Sequence, residues 1–385
     1  MLGPLAGIRV VEIAGLVAAP FCGMLLADLG ADVIRIDRPN SANAPSAGPP
    51  PAITGRSRRA IELDLKSPAG VSVLLDLLER GDAFFESFRP GVAERLGFGP
   101  DECLRRNPRL VYGRLTGWGQ DGRLALNAGH DINYTALTGV LSLMGQPGIT
   151  PQPPLNLVGD MAGGGLMLAF GIVSALLHAQ RTGEGQVVDT AMIDGAALLM
   201  ATAREYVAAG TPPERGQIPS DGGHPFYSVY RCGDGRYISI GCMEPQFSAE
   251  LFRLLALDPN DFSGADDPAH WQELRARLEP VFGAKGLEDW RALMEDNAQL
   301  CFAPVLDMNE AARHPHNVDR EGYFELDGVV QPAPAPRFSR TPTPRPKATR
   351  KPDRDTRFAV LSEWLGYGEE DVAGAARNGA FGKPA

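Results

Sequence analysis

The sequence predicts an α/β protein in which a parallel β-sheet carries helices on both faces and a smaller α+β domain follows. Three observations support this fold class. Short apolar segments rich in β-branched residues alternate with segments of helical periodicity in the early part of the chain. A polar stretch rich in Pro and Gly, residues 210–225, then precedes a new pattern that begins with a hairpin. The length of 385 residues is ample for a large and a smaller domain.

The first strands and the first helix follow from local signals. The segment GIRVVEIA (7–14) is apolar and rich in β-branched residues, which is typical of a buried parallel strand. In the segment APFCGMLLADLGA that follows, Pro20 suits a first helical turn and Gly30 suits a helix end. The segment DVIRID (32–37) predicts the second strand for the same reason as the first.

The alternation continues along the chain. A helix over SPAGVSVLLDLLERGD has Ser67 as N-cap, Pro68 at its first position and Gly81 as its terminator. The segments AFFESF and RLVYGRLTG predict further strands, so the sheet is expected to be parallel and Rossmann-like. No G-x-G-x-x-G follows the first strand, and a dinucleotide site therefore has little support.

Later segments predict a second domain and a return to the first. Residues 155–209 have a helical pattern that ends at Gly210. The segment FYSVYRCGDGRYISIGCM predicts a hairpin with Asp234 and Gly235 at its turn, and amphipathic helices follow. The proline-rich, basic segment 331–352 predicts extended chain, and the helix in DTRFAVLSEWLGYG needs a core to pack on.

We therefore expect four regions. They are a large Rossmann-like domain (1–209), a linker (210–225), a small α+β domain (226–325), and a crossing segment with C-terminal helices (326–385). The last region is expected to return to the large domain.

Composition narrows the class of function. Hydrophobic residues make up 44% of the chain and charged residues 22%, which is typical of a soluble globular protein. The formal charge of −10 argues against nucleic acid or an anionic membrane as a partner. The five cysteines lie far apart without a C-x-x-C pair, which favours reduced thiols in a cytoplasmic protein.

Neither a membrane segment nor a metal site is predicted. The N-terminus lacks a basic region ahead of its apolar run, so no signal peptide is expected. The most apolar window, Met161 to Leu177, is short for a membrane span and is interpreted as a buried helix. Six histidines occur without metal-ligand spacing, and only the loop pair His314 and His316 lies close in sequence.

Three residues are candidates for acid–base chemistry, and each also has a structural interpretation. His130 in NAGHDINYTALTG is, taken alone, more often a structural histidine. Asp160 precedes an apolar helix and is first of all a candidate N-cap, although the glycines 163–165 that follow favour close approach to the backbone. Glu244 in IGCMEPQF stands where a strand passes into a helix, as a charge near a helix N-terminus does.

Basic residues are expected at the ends of strands, where α/β sheets bind ligands. Each of them is, on its own, most simply a solvated surface charge. Several together in an acidic protein favour a phosphate-bearing ligand. The candidates are Arg38, Arg58, Arg59, Lys66, Arg89 and Arg95.

Taken together, these stretches resemble the family III CoA-transferase superfamily and, within it, the α-methylacyl-CoA racemases. The matching segments run in order through nearly the whole chain. They include GIRVVEIAG, LLADLGADVIRIDRP, LDLKSPAG, FRPGVAERLGFGP, RLVYGRLTGWGQDG, AGHDINYTALTGVL, PPLNLVGDMAGGG and GRYISIGCMEPQF. The resemblance implies an interlocked homodimer whose active site lies between the large domain of one subunit and the small domain of the other.

The resemblance also implies an activity, the interconversion of (R)- and (S)-2-methylacyl-CoA thioesters through an enolate. His130, oriented by Glu244 of the other subunit, would serve one face of the α-carbon, and Asp160 would serve the opposite face. The backbone N–H of Asp131 would donate to the thioester oxygen. The glycines 163–165 would leave room for the acyl chain.

The same resemblance implies a set of residues around CoA, and CoA belongs to the substrate, so no separate cofactor is expected. The set is Arg38, Leu63, Leu65, Lys66, Ser87, Arg89, Arg95, Gly129, Ile132, Asn133 and Tyr134. The proline-rich loop 40–55 departs from the family pattern and flanks the ligand region, so the resemblance does not assign the residues that contact adenine. Transferases of the superfamily use the aspartate that matches Asp160 as a nucleophile and typically have a tyrosine where this chain has His130, so the racemase is expected and the transferase is the alternative.

Overall fold

The computed structural model of the chain describes residues 2–40 and 52–382. The strands are, in chain order, β1 (Arg9–Ile13), β2 (Asp32–Asp37), β3 (Arg59–Glu62), β4 (Ala83–Glu86), β5 (Val111–Thr116), β6 (Gln186–Ala191), β7 (Tyr227–Arg231), β8 (Tyr237–Gly241), β9 (Phe302–Pro304), β10 (Tyr323–Leu326) and β11 (Val329–Pro332). The α-helices are α1 (Ala18–Asp28), α2 (Pro68–Arg80), α3 (Val92–Leu96), α4 (Pro100–Arg106), α5 (Asp131–Leu137), α6 (Val140–Leu143), α7 (Met167–Thr182), α8 (Met192–Leu198), α9 (Ala201–Ala208), α10 (Pro245–Leu255), α11 (Trp271–Phe282), α12 (Leu287–Met294), α13 (Met308–Arg313), α14 (Pro315–Asp319), α15 (Arg354–Leu365) and α16 (Glu369–Arg377). A π-helix, Leu157–Leu166, runs directly into α7.

The chain forms two units. The first comprises residues 1–138, 155–199 and 321–385, and the second comprises residues 139–154 and 200–320. The expected boundaries differ from these, because residues 139–154 and 200–209, assigned to the large domain from the sequence, belong to the second unit. Helical periodicity identifies a segment such as α9 as a helix but carries no information about the core against which it packs. Most of the loop 40–55 lies outside the described residues.

A six-stranded sheet forms the centre of the first unit. Its strand order is β3-β2-β1-β4-β5-β6, and every neighbouring pair is parallel. This is the strand order of a Rossmann fold, in which the chain leaves the centre of the sheet in opposite directions from β1 and β4. The α/β fold class and the Rossmann-like sheet predicted from the sequence are confirmed.

The sheet buries a separate apolar core on each face. Successive strand residues point to opposite faces, so Val10 lies in one core and Val11 in the other, and Phe84 and Phe85 divide in the same way. The helices α2 and α15 cover the face that holds Val11, and α1 and α7 cover the opposite face. The C-terminal helix predicted from DTRFAVLSEWLGYG returns to this unit, because Trp364 and its neighbours lie in the core beside α2.

Two strands of the sheet differ from the prediction. The segment 59–62, considered only as a source of cations, forms β3 and pairs with β2. The helical pattern predicted over 155–209 is interrupted by β6, which pairs in parallel with β5. Both strands lie at the edges of the sheet. An edge strand is buried less completely than a central one, so its residues lack the continuous apolar run that predicted β1 and β2.

The second unit contains an antiparallel sheet of the order β7-β8-β9, packed against helices. The predicted hairpin is β7–β8, and Gly235 in its turn has a φ of +85°, a conformation that favours glycine. The core of this unit is aromatic, with Phe226, Phe252 and Phe282 in contact with other rings. The segment predicted as a linker belongs to this unit, since Ser228 Oγ donates to the carbonyl of Gly222 over 2.9 Å.

Within residues 2–40 and 52–382, one helix, Leu157–Thr182 with 26 residues, is long and apolar enough to cross a membrane; 44% of its most apolar window is buried within the chain. The helix interpreted from the sequence as buried is thus buried in part. Its glycines face neighbouring backbone. A Cβ on Gly165 would lie 2.5 Å from the carbonyl oxygen of Ala18, and one on Gly163 would lie 2.8 Å from the amide nitrogen of Ala196. These glycines permit close packing against α1 and α8 and do not leave room for an acyl chain.

Candidate active site

Several predicted CoA ligands lie together along the sheet edge that is formed by the carboxyl ends of the parallel strands, as distinct from its outer strands β3 and β6. These residues follow β2, β3 and β4 directly: Arg38, Leu63, Leu65, Lys66, Ser87 and Arg89. Ser87 lies where the strand order diverges, because a Cβ added to Gly15 after β1 would lie 2.3 Å from Ser87 Oγ. Open α/β sheets bind ligands in the crevice at this position.

A cleft of about 370 Å³ opens beside the start of α2. Three of the predicted CoA ligands line it together, namely Leu65, Lys66 and Arg95. Arg106, which was not predicted from the sequence, also lines the cleft. Its guanidinium forms ion pairs with Glu79, Asp76 and Glu102.

Leu63 differs from the other predicted CoA ligands, because its side chain is 1% exposed and packs in the core. Contact between that side chain and a ligand is therefore not supported.

The predicted cations divide into paired and unpaired groups. Arg58 is buried against the carboxylate of Glu12, and Arg59 pairs with Asp32 and Glu363. These two arginines hold the fold together. By contrast, four exposed cations make no ion pair with any residue in the described ranges: Arg38, Lys66, Arg89 and Arg95. Exposed, unpaired cations at one sheet edge are what an anionic ligand requires.

A buried ionic cluster lies beneath the loop that carries Arg89. Glu86, at the end of β4, is fully buried and accepts a hydrogen bond from the N–H of Phe88 over 2.5 Å. Arg114 on β5 lies 3.3 Å from the Glu86 carboxylate and 2.9 Å from that of Glu94 in α3. The cluster therefore ties both ends of the segment 87–94 to the sheet. Burial raises the pKa of Glu86 from 4.5 to about 7.

This pKa predicts a pH dependence of stability. A carboxyl group whose folded pKa lies above its unfolded value stabilises the fold fully below the unfolded pKa, and this contribution is lost as pH rises through the folded pKa. For a rise from 4.5 to about 7, the free energy of unfolding should fall by up to about 3 kcal/mol between pH 4.5 and 8. Urea unfolding of Glu86→Gln should lack this fall, whereas the exposed variant Glu370→Gln should retain it. Parallel pH profiles for the wild type and Glu86→Gln would contradict this assignment.

His130 occupies the N-cap of α5, and the helix start fixes its backbone. Its N–H donates to Asn133 Oδ1 over 3.0 Å, and its carbonyl accepts from the N–H of the same residue over 2.8 Å. The imidazole is exposed. Ile132 and Asn133 are exposed beside it, so two further predicted CoA ligands share this helix start. The structure thus shows an exposed imidazole on a rigid support.

Asp131 joins His130 to Asp160. The carboxylate of Asp131 accepts the backbone N–H of Asp160 over 2.8 Å, and its other oxygen is buried without a hydrogen-bond partner. Gly159 permits this contact, because a Cβ there would lie 2.5 Å from Asp131 Oδ1. The π-helix begins at Leu157, and helices of this rare type occur frequently at functional sites. Residues far apart in sequence are therefore held at a common position.

The surroundings of Asp160 act on the pKa of its carboxyl group. The carboxyl group is half-buried, and Asn156 Nδ2 donates to its Oδ2 over 3.3 Å. Burial, together with the nearby charge of Asp131, raises the pKa of Asp160, while the hydrogen bond from Asn156 and the charge of His130 act in the opposite direction. Asn156 was missed in the sequence analysis, although its separation of four residues from Asp160 was a usable signal.

Aromatic rings support the segment that precedes His130. Tyr134 is 6% exposed, and its ring packs edge-on against Trp118 with centroids 4.8 Å apart. A Cβ on Gly129 would lie 2.7 Å from the Tyr134 ring and 2.9 Å from Trp118 Nε1. Gly129 is therefore required for this packing. Of the predicted ligands, Tyr134 contributes chiefly as a support and exposes little of its side chain.

Glu244 lies in the second unit as the N-cap of α10. Its side chain is exposed, and its carbonyl accepts the N–H groups of Phe247 and Ser248. The structure thus places this carboxylate on a defined helix start that is open to solvent. Its predicted role in orienting His130 stays a prediction.

Metal-binding geometry does not occur in the described part of the chain. Residues 2–40 and 52–382 contain no group of three or more His, Cys, Asp or Glu side chains that is arranged to hold a metal ion. His314 contacts the carboxylate of Glu295. The buried His224 contacts aromatic rings, and its Nδ1 accepts the N–H of Phe226 over 3.0 Å. Both histidines therefore have structural partners.

Comparisons with known proteins place this geometry in a family. The model of CoA-transferase family III matches residues 5–356. The α-methylacyl-CoA racemases of mouse and human are each 41% identical to this chain over 371 residues, which cover 96% of this chain and 95% of each relative. The crystal structure of a CAIB/BAIF family protein from Brucella suis matches with a TM-score of 0.81 and 27% identity, covering 94% of this chain and 100% of that one. The chain belongs to CoA-transferase family III.

Proposed function

We propose that the protein is an α-methylacyl-CoA racemase, an isomerase that interconverts (R)- and (S)-2-methylacyl-CoA thioesters. The observation that carries this proposal is the linkage of His130 and Asp160 through Asp131 in a chain that is 41% identical to two racemases of that name. This linkage supports the assignment to one site of both groups that a proton transfer at carbon requires, beside unpaired cations that suit a CoA ester.

The reaction needs a base on one face of the α-carbon and an acid on the other. Either His130 or Asp160 removes the α-proton as the electron pair of the C–H bond moves into the enolate. The opposite residue then delivers a proton to the planar carbon, and the configuration is inverted. The raised pKa of Asp160, which results from burial, suits this work, because a carboxyl group must accept and donate a proton in alternate directions of turnover.

The enolate requires stabilisation of its oxygen. As the first residue of α5, Asp131 has a backbone N–H without an acceptor inside the helix, and this N–H is free to donate to the thioester oxygen. Its carboxylate meanwhile holds the backbone of Asp160. A single residue would then fix the oxyanion donor and both proton-transfer residues relative to one another.

CoA would be held chiefly through its phosphates by the cations at the sheet edge. The cleft beside α2 supplies Lys66 and Arg95, while Arg89 extends from the loop anchored by the buried cluster of Glu86 and Arg114. No separate cofactor enters the proposal, because CoA is part of the substrate. The unpaired thiols of Cys22, Cys103, Cys232, Cys242 and Cys301 fit a reducing compartment such as the cytoplasm.

We further propose that the enzyme acts as an interlocked homodimer. Apolar side chains are exposed along one face of the helix Leu157–Thr182, at Leu166, Phe170, Val173 and Leu177. Their spacing of three and four residues places them in one stripe. A stripe of this kind is usually covered by a partner. In the dimer, Glu244 of one subunit would orient His130 of the other.

The proposed function is tested by hydrogen exchange without an acceptor acid. Purified enzyme is incubated with one epimer of a 2-methylacyl-CoA in deuterated buffer, and deuterium and configuration at the α-carbon are measured. Incorporation of deuterium together with formation of the other epimer is expected. Exchange only in the presence of a free acid, with an acyl or CoA adduct on Asp160, would instead identify a CoA-transferase in which Asp160 is the nucleophile.

A further inference from the structure

We propose that the C-terminal segment, which consists of α15 and residues 380–382, completes the CoA site. Arg357 of α15 stacks on Phe381 and binds the 3′-phosphate of the nucleotide. This inference rests on the proposed function only in taking CoA as the ligand. It adds a binding residue from the end of the chain to a site otherwise built from its beginning.

The C-terminal segment packs directly on the ligand-binding edge of the sheet. The N–H of Asp64, between the predicted ligands Leu63 and Leu65, donates to the carbonyl of Ala380 over 2.8 Å. A Cβ on Gly382 would lie 2.6 Å from Pro39, which follows β2. Residues 380–382 therefore bridge the carboxyl ends of β2 and β3, where Arg38 and Lys66 emerge.

Arg357 presents an unsatisfied cation at this bridge. Its guanidinium lies 4.3 Å from the centroid of the Phe381 ring, a cation–π contact that fixes its orientation. Its Nε is buried without a hydrogen-bond partner, and the side chain forms no ion pair within residues 2–40 and 52–382. Arg377, another arginine of the C-terminal region, is instead paired with Glu370. A buried donor without an acceptor is costly, and the guanidinium of this half-buried side chain is therefore expected to gain an anionic partner.

The surrounding charges leave room for an anion. The acidic group that acts most directly on Arg357 is Glu62, whose Oε1 already accepts the N–H of Asn40 over 2.9 Å. Arg354, one turn earlier on α15, adds a second positive charge, and burial lowers the pKa of Arg357. The charges of Arg354 and Arg357 repel each other, and a bound phosphate would relieve this repulsion.

The position of Arg357 identifies which end of CoA it would meet. The proton-transfer residues lie beyond β5, and Arg357 lies beside β3 and Glu62. Four strand intervals separate β5 from β3 in the sheet, which corresponds to about 19 Å at the usual interstrand spacing. CoA is an extended molecule with the thioester at one end and the 3′-phosphoadenosine at the other. A thioester at His130 therefore sends the 3′-phosphate toward Arg357.

Calorimetric titration with CoA and with 3′-dephospho-CoA tests the proposal without any turnover. For Arg357→Gln, the Kd of CoA should rise about 10-fold, while the Kd of 3′-dephospho-CoA should stay within about 2-fold of the wild-type value. Arg357→Lys should recover part of the affinity for CoA, since it keeps the charge. Arg377→Gln, an exposed arginine of the same region with its own carboxylate partner, should change neither Kd.

Several results would overturn the inference. Equal losses of affinity for both ligands in Arg357→Gln would mean a general effect on the fold, and unchanged affinities would mean that no phosphate is bound there. A wild-type protein that fails to bind CoA, or that binds both ligands equally, also contradicts it. CoA binding with the predicted discrimination but without α-proton exchange would contradict the proposed activity alone.

Discussion

Asp160→Asn is expected to lower kcat for epimerisation by about 10²–10⁴-fold, the range of a general acid–base residue. The variant keeps the shape of the side chain and the backbone contact to Asp131 but loses the group that moves the proton. His130→Gln is expected to lower kcat by a similar factor, because inversion needs both faces of the carbon to be served. KM should change little in either variant, since neither residue is one of the four unpaired cations that would hold CoA. The rate is measured by chiral analysis of the acyl-CoA.

A matched control separates chemistry from folding. Asp101→Asn changes an exposed aspartate at the start of α4, outside the site, and should leave kcat unchanged. The free energy of unfolding of Asp160→Asn should not be lower than that of the wild type, because an aspartate whose pKa is raised by burial gains nothing from its charge. An Asp160→Asn enzyme with near wild-type kcat would contradict the assignment.

Substitution of Glu244 is expected to cause the second large decrease in kcat. The same variant tests whether two subunits share each active site. Glu244→Ala is expected to lower kcat by about 10²-fold or more, as loss of the carboxylate that orients a catalytic histidine does in other enzymes. His130→Ala should be equally impaired. When the two variants are co-expressed with different tags, mixed dimers can be isolated by sequential purification.

The mixed dimer separates two architectures. If Glu244 serves the His130 of the other subunit, one of the two sites in each mixed dimer carries both native residues and the other carries both substitutions. Purified mixed dimers should then recover about half of the wild-type activity. If the two residues act within one subunit, both sites of the mixed dimer lack a residue and activity stays at the level of the single variants.

Much of the large unit could be predicted because its central strands are buried on both faces. β1 and β2 are short apolar runs for that reason, and α2 has its N-cap Ser67 and terminator Gly81 at the predicted positions. β3 and β6 were missed since edge strands are less buried. The assignment of α9 to the second unit depends on packing between segments far apart in sequence, which local periodicity does not record.

The candidate site was likewise predicted only in part. The residue types of His130, Asp160 and the cations could be read from the sequence, but their partners could not. Arg58 and Lys66 look alike in sequence, yet Arg58 is buried with Glu12 and Lys66 is exposed on the cleft. The hydrogen bond from the Asp160 backbone to Asp131 depends on the π-helix, whose hydrogen-bond pattern does not follow from the apolar periodicity of the segment.

The most direct test of the account separates the two faces of the α-carbon. Each epimer of a 2-methylacyl-CoA is incubated in deuterated buffer with Asp160→Asn or with His130→Gln, and deuterium at the α-carbon is followed without regard to inversion. Each variant keeps one base, so Asp160→Asn should exchange the α-proton of one epimer only and His130→Gln that of the other epimer only. Exchange of the same epimer by both variants, or continued inversion by either, would contradict two-sided proton transfer by His130 and Asp160.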